Sequence, residues 1–173
     1  YLEDLGITII YFNPLFEAKS NHKYDAVDYM KLDPHFGTEE DFKKFVNEAH
    51  QRGIRIILDC AFNHTGETFL AFQEGMKNGP ESKYYDWYEW KKWPMPNPSD
   101  ISDFKPSDYY ECWWGYGEMP NLNYDLDKAN QSENSIKSID LANPNWEVVN
   151  YILDVSEYWI SDMDLDGFRL DVP

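Results

Sequence analysis

Cysteine is scarce in this chain, and so is positive charge. Only Cys60 and Cys112 occur in 173 residues. That is too few for a disulfide framework, and neither sits in a metal-type pair. Cys60 lies in an apolar run and is expected to be a buried free thiol. Lysine and arginine number 15 against 32 aspartates and glutamates, a formal net charge of -17. So acidic a chain repels nucleic acid and anionic membranes, and neither is expected as a partner. A neutral substrate stays compatible, and the charge also serves plain solubility. No stretch is long and apolar enough to span a membrane. No glycine-rich phosphate loop follows the apolar runs, which weighs against nucleotide binding. An initiator methionine is lacking, and the opening YLEDLG reads as the last turn of a helix. The chain is expected to be an internal piece of a longer protein, so missing targeting signals leave its compartment unread.

What is present is a pattern repeated three times: helix, glycine, apolar strand. YLEDLG leads into Ile7 to Pro14. EEDFKKFVNEAHQRG leads into Ile54 to His64. NWEVVNYILDVSEYWISDMDLDG leads into FRLDVP. Gly6, Gly53 and Gly167 stand where a helix must stop and turn into a strand. Thr38 can cap the middle helix with Asp41 three residues on, and Phe42, Phe45, Val46 and Ala49 follow helical spacing. Asn143 is expected to cap the third helix with Pro144 as its first residue, and Val148, Ile152, Val155 and Trp159 to line one face. Alternating helices and apolar strands imply a parallel α/β sheet, either an open doubly wound sheet or a (β/α)8 barrel.

Between His64 and Asn143 the pattern breaks. This stretch holds YYDWYEWKKW, a proline-rich PMPNPS and YYECWWGYGEMPNLNYD. A structureless loop of this length is unusual in a compact domain. It is read as a small inserted subdomain after a strand's C-terminal end, where barrel enzymes build their sites. Trp87, Tyr88, Trp90, Trp113, Trp114 and Tyr116 are its core for the most part, with some left as exposed stacking platforms. The sequence does not sort them.

Three places can carry chemistry. In FRLDV, residues two apart share a strand face. Arg169 and Asp171 then point one way, inward, while Phe168, Leu170 and Val172 point to the covering helices. Burying an ion pair costs several kcal/mol of desolvation, so the pair is weak evidence for a stability role. An oriented carboxylate at a barrel rim suits a nucleophile, with a structural salt bridge as the competing reading of the pair. In DCAFNH, Asp59, Asn63 and His64 cluster at the end of an apolar strand. Asp59 also suits a structural role, and the spacing is not a strong transition-metal pattern. In SNHKYDAVDY, Tyr24 and Asp25 can reach the same mouth, and a tyrosine face can stack on a sugar ring.

Together these stretches resemble the alpha-amylase family of glycoside hydrolases. DCAFNH is similar to that family's Asp-x-x-x-Asn-His motif, and GFRLDV to its Gly-Phe-Arg-x-Asp motif. The strand ending in Asn13-Pro14 fits as well. MPNLN, Met119 to Asn123, resembles the short motif near the end of the family's insertion, in the form of neopullulanases, cyclomaltodextrinases and maltogenic amylases. HKYD and the IDLANP lead into the third helix fit that subgroup.

The resemblance implies an α/β fold, a partial (β/α)8 barrel of about strands two to four. Residues 1–64 and 143–173 would be barrel, and 65–142 the inserted rim subdomain. It implies retaining hydrolysis of α-glucosidic bonds in starch-type oligosaccharides, cyclodextrins or pullulan. Asp171 falls on the nucleophile and Arg169 on the arginine that orients it. His64 falls on a histidine that hydrogen-bonds the sugar, Tyr24 on a tyrosine that stacks on it, and Asp59 on a largely structural position kept among the substrate-site candidates. No cofactor is required. Calcium is an option through Asn63, which matches a calcium ligand of some members. The general acid, a glutamate, would follow the fifth strand and a further aspartate the seventh, so the 173-residue piece is expected to be inactive by itself. The partner is an α-glucan or maltooligosaccharide, and the longer protein is a candidate homodimer. The rival readings are a non-catalytic amylase-like barrel used for binding or assembly, a transglycosylase of the same family, and an unrelated metal-dependent barrel enzyme.

Overall fold

The three apolar runs form three parallel strands, each shorter than its run. The computed structural model describes residues 1–126 and 143–172. In chain order the elements are β1 (Ile9–Phe12), β2 (Phe16–Ala18), β3 (Ala26–Leu32), α1 (Glu39–Gln51), β4 (Arg55–Cys60), α2 (Leu70–Asn78), α3 (Trp146–Glu157) and β5 (Gly167–Leu170). The parallel sheet has the order β1-β4-β5, and β2 and β3 pair antiparallel beside it. Ile9 lies opposite Arg55 and Phe12 opposite Leu58. Ile57 lies opposite Gly167 and Asp59 opposite Arg169.

This register gives the sheet two chemically different faces. Ile56, Leu58 and Cys60 point to one face and are fully buried. They pack in one core with Phe42, Val46 and Ala49 of α1 and with Val148, Val155 and Trp159. The helical stripes expected from spacing are therefore the stripes that are buried. Phe45 sits at the margin, edge-on to Phe12 at 5.7 Å. The helix start is also as expected: Thr38 and Asp41 cap each other reciprocally. At the other end of α1, Gly53 at φ +69° lets its own N–H reach the His50 carbonyl at 2.9 Å and the Ile54 N–H reach Ala49 at 3.0 Å. These two bonds satisfy the last carbonyls of the helix and turn the chain into β4.

Two expected helix boundaries are corrected. Gly167 does not stop the third helix. α3 widens into a π-turn over Tyr158–Asp162, and the left-handed position falls on Asp164 at φ +60°, leaving Gly167 as the first residue of β5. Asn143 and Pro144 do not open the helix either. Pro144 bridges to Asp125, and α3 begins two residues later, after Asn145. The Asn145 amide is spent on the Asp86 carbonyl at 2.9 Å, so the lead-in is held by the preceding segment rather than by a cap. Of IDLANP, residues 139–142 lie outside the described residues.

The stretch from Thr65 to Leu126 contains α2, short turns and isolated antiparallel bridges. Its centre is aromatic: Phe72 meets Tyr88 at 5.0 Å, Trp90 at 5.3 Å and Tyr110 at 4.9 Å. That cluster is continuous with the main core, through Trp87 against Tyr151 of α3 at 5.2 Å.

The loop after β4 is wedged between these parts. The Tyr29 hydroxyl donates toward the Ala61 and His64 carbonyls at 2.7 and 2.5 Å. The Tyr124 hydroxyl donates to the Phe62 carbonyl at 2.6 Å. Gly66 lies so close to the start of β3 that a Cβ there would stand 2.4 Å from the Asp25 carbonyl oxygen. Gly66→Ala in the complete protein should therefore cost about 3 kcal/mol, since backbone cannot step aside as a side chain can. Gly53→Ala has open space around it and should cost only the left-handed backbone term, about 1 kcal/mol. Thermal unfolding of the two variants checks this, and equal losses would show that the Asp25 backbone yields.

Candidate active site

On the other sheet face, the register brings Tyr11, Asp59 and Arg169 together at the C-terminal ends of three neighbouring strands. Asp59 is fully buried. Its carboxylate accepts hydrogen bonds from the Tyr11 hydroxyl, from the Tyr24 hydroxyl at 2.9 Å, and from the Arg169 guanidinium at 3.2 and 3.3 Å. The same guanidinium nitrogen donates to Asp171 at 2.5 Å. Asp171 stands just past the end of β5, and its N–H donates to the Cys60 carbonyl at 2.8 Å. The parallel ladder thus carries Asp171 to the rim.

Both phenols remain donors at ordinary pH. The hydrogen bond to Asp59, followed by burial, raises the pKa of Tyr11. Burial, then the bond to Asp59, raises that of Tyr24. Arg169 is raised as well, first by Asp171 and then by Asp59. The arrangement is one buried carboxylate, an arginine gripping it, and a second carboxylate on the arginine's outer side.

The ion pair is not buried, contrary to expectation. The Arg169 side chain is 50% exposed and that of Asp171 30%. Only the Asp59 end is sealed. The reason is that no described strand covers the far side of β5, and Leu170 on the opposite face is half exposed as well. Asp59 is sealed from solvent and stands as the anchor behind Tyr24 and Arg169.

His64 is buried between segments. Its Nε2 donates to the Tyr24 carbonyl at 3.1 Å, its Nδ1 faces the Asn63 side chain at 3.0 Å, and its ring stacks on Trp113 with centroids 6.0 Å apart. Burial lowers its pKa to about 4, against the opposing pull of the Tyr24 carbonyl. The ring is therefore neutral at pH 7 and carries one proton; placed on Nε2 it serves the Tyr24 carbonyl, and Nδ1 then accepts, which requires the Asn63 amide to turn its NH2 rather than its oxygen to the ring. Asn63 is turned to this ring rather than outward. Among the described residues no group of three or more His, Cys, Asp or Glu side chains is placed to hold a metal ion. Asp25 does not reach the mouth: it closes the turn before β3 by accepting from the Ser20 hydroxyl and N–H.

Sequence reasoning missed Tyr11. Its signal was available in its parity with Asp59 on a neighbouring parallel strand, but the register that makes parity meaningful comes only from pairing. It missed the buried Lys23–Asp33 ion pair at 2.7 Å as well, which holds the Asp33 carboxyl far below the usual range despite burial. The aromatics between His64 and Asn143 are now sorted. Trp87 and Tyr88 are core, Trp90 packs against it, Trp113 stacks on His64, and Trp114 and Tyr116 are exposed.

Comparison with known proteins agrees over the whole length. The family model described as alpha amylase, catalytic domain, matches residues 1–173. A cyclomaltodextrinase of Geobacillus thermopakistaniensis is 42% identical over 172 residues, covering 99% of this chain and 25% of the relative. An intracellular maltogenic amylase of Bacillus subtilis is also 42% identical, covering 99% of this chain and 24% of the relative. Among solved structures, the type III pullulan hydrolase from Thermococcus kodakarensis superposes with a TM-score of 0.79 at 40% identity, covering all of this chain and 26% of that one. The chain thus spans about a quarter of the length of the curated relatives it matches. On sequence and fold alike, it belongs to the alpha-amylase catalytic-domain family.

Proposed function

We propose that this chain carries the nucleophile of a retaining glycoside hydrolase acting on α-glucosidic bonds of starch-type oligosaccharides, cyclodextrins or pullulan. The observation that carries this reading is the Arg169–Asp171 pair at the end of β5, with its guanidinium locked from behind by Asp59. β1, β4 and β5 are taken as the second, third and fourth strands of a (β/α)8 barrel, and residues 65–142 as an insertion on its rim.

In this reading an Asp171 oxygen attacks the anomeric carbon as the glycosidic bond breaks. A carboxylic acid about 5 Å away protonates the leaving oxygen, and water then displaces Asp171 from the covalent intermediate. The family resemblance puts that acid on a later barrel strand. Arg169 fixes which Asp171 oxygen is free, because one is spent on the guanidinium. Tyr24, its ring held by the bond to Asp59, offers a face for the sugar at that position. His64, neutral and carrying its proton on Nε2, is a donor that a sugar hydroxyl can take over from the Tyr24 carbonyl.

Asp171→Asn in the complete protein should lower kcat on maltooligosaccharides by a factor on the order of 10⁴ or more. The fold should survive, because Asp171 lies past the end of β5 and outside the apolar core. Initial-rate assays beside thermal unfolding separate the two effects, and retained turnover would remove Asp171 from the nucleophile's role.

His64 gives a pH test. Its folded pKa of about 4 lies below an unfolded value of about 6.5. Between these values the unfolded chain binds a proton that the folded chain refuses. The stabilisation from the buried neutral ring is complete above about pH 6.5 and is lost as pH falls through 4. Hydrogen exchange at the imidazole C2 position, read by mass spectrometry, should show His64 half-ionised near pH 4. A midpoint near 6.5 would mean that the ring stands open to water.

A further inference from the structure

We propose that Trp114 and Tyr116 form a second sugar-stacking subsite on the rim of this site. The inference rests on the glucan reading above and extends it to the turn that follows Cys112.

The turn is closed and stiff. The Gly115 N–H donates to the Cys112 carbonyl at 3.3 Å, that of Tyr116 to Trp113 at 2.9 Å, and that of Met119 to Tyr116 at 3.0 Å. The Trp113 N–H returns to the Met119 carbonyl at 2.9 Å. Just beyond, Gly117 packs against Pro106, whose side chain stands 2.3 Å from where a Cβ would lie, and its carbonyl accepts from the Tyr110 hydroxyl at 2.7 Å. A turn tied at this many points presents its side chains in one arrangement.

Within this turn Trp114 holds φ +52° and ψ 24°. The left-handed region is costly for any residue with a Cβ, and more so for a bulky one. Packing does not compensate, since Trp114 is 78% exposed and Tyr116 53%. A strained backbone that displays a large flat apolar ring to water is the kind of local cost that persists at binding sites. The patch is also continuous with the site. The Trp113 ring stacks on His64 at 6.0 Å, and lies 6.0 Å from Trp114 and 6.2 Å from Tyr116.

The occupant follows from charge and shape. A glucan ring is neutral, with an apolar C–H face that suits an indole or a phenol. A nucleic acid base also stacks, but its phosphates meet a chain of net charge -17.

The test uses the complete protein carrying Asp171→Asn, so that ligand is bound without being cleaved, and calorimetric titration with maltose and maltoheptaose. Adding Trp114→Gly should leave the melting temperature equal or higher, since glycine adopts this conformation without strain. It should weaken maltoheptaose binding by about three- to tenfold and maltose binding by less. Trp114→Phe should retain most of the affinity. Unchanged maltoheptaose affinity in Trp114→Gly overturns the subsite while leaving the glucan reading intact. So does an equal loss for both ligands accompanied by a fall in melting temperature, which would make Trp114 a structural residue. Failure of the Asp171→Asn background to bind either sugar overturns the glucan reading and the subsite with it.

Discussion

The buried carboxylate of Asp59 holds the site together. A carboxyl group with no solvent contact must have its lone pairs satisfied by the protein. Here the donors come from β1 through Tyr11, from the turn before β3 through Tyr24, and from β5 through Arg169. Three segments far apart in sequence therefore converge on one group. The dependence runs both ways. A slip of one residue between β4 and β5 would send Arg169 into the apolar core and bring Leu170 to Asp59. The polar knot thus selects the register that the hydrophobic face only permits, and the same register delivers Asp171 to the rim.

A second constraint acts on the loop that leaves β4. Its carbonyls are capped by the hydroxyls of Tyr29 and Tyr124, and the Thr65 hydroxyl pairs with that of Tyr88 at 2.9 Å. The MPNLN stretch runs beside it: the Leu122 N–H donates to the Asn63 carbonyl at 2.9 Å, and the Thr65 N–H to the Pro120 carbonyl at 3.1 Å. The stretch after β4 is therefore part of the site's scaffold, since it fixes the segment bearing Asn63 and His64. Backbone groups held from several sides cost little to order when a ligand arrives.

Much of this was legible before the structure. Helical spacing identified the buried stripes of α1 and α3, and the cap formed by Thr38 and Asp41 needs only local sequence. Strand parity placed Arg169 and Asp171 on a common face. What stayed hidden depends on long-range pairing. Tyr11 has no meaning as a site residue until β1 lies beside β4. The stop after α3 was assigned to Gly167 because glycine is the usual left-handed residue, whereas the π-turn around buried Trp159 shifts that position to Asp164. The exposure of Arg169 depends on what lies beyond β5, and the strand's own residues do not encode it. Six aromatics between His64 and Asn143 look alike in sequence. Only packing separates Trp87 in the core from Trp114 in solvent.

The chain's charge and its site then fit one logic. A chain with 32 acidic residues against 15 basic ones has little long-range attraction for anions, and a neutral glucan would feel no long-range pull either. Recognition of such a ligand must come from contacts that act only at touching distance: flat rings against C–H faces, and hydrogen bonds with fixed direction. Contacts of that kind help only where their geometry is set in advance. Tyr24 is held by Asp59, His64 by the Tyr24 carbonyl and Trp113, and Trp113 by the turn that also displays Trp114. The Arg169 guanidinium at the mouth is spent on orienting carboxylates, one sealed and one open. The rigid, ring-lined mouth thus suits the neutral glucan proposed above, and the acidic surface neither helps nor hinders a ligand that carries no charge of its own.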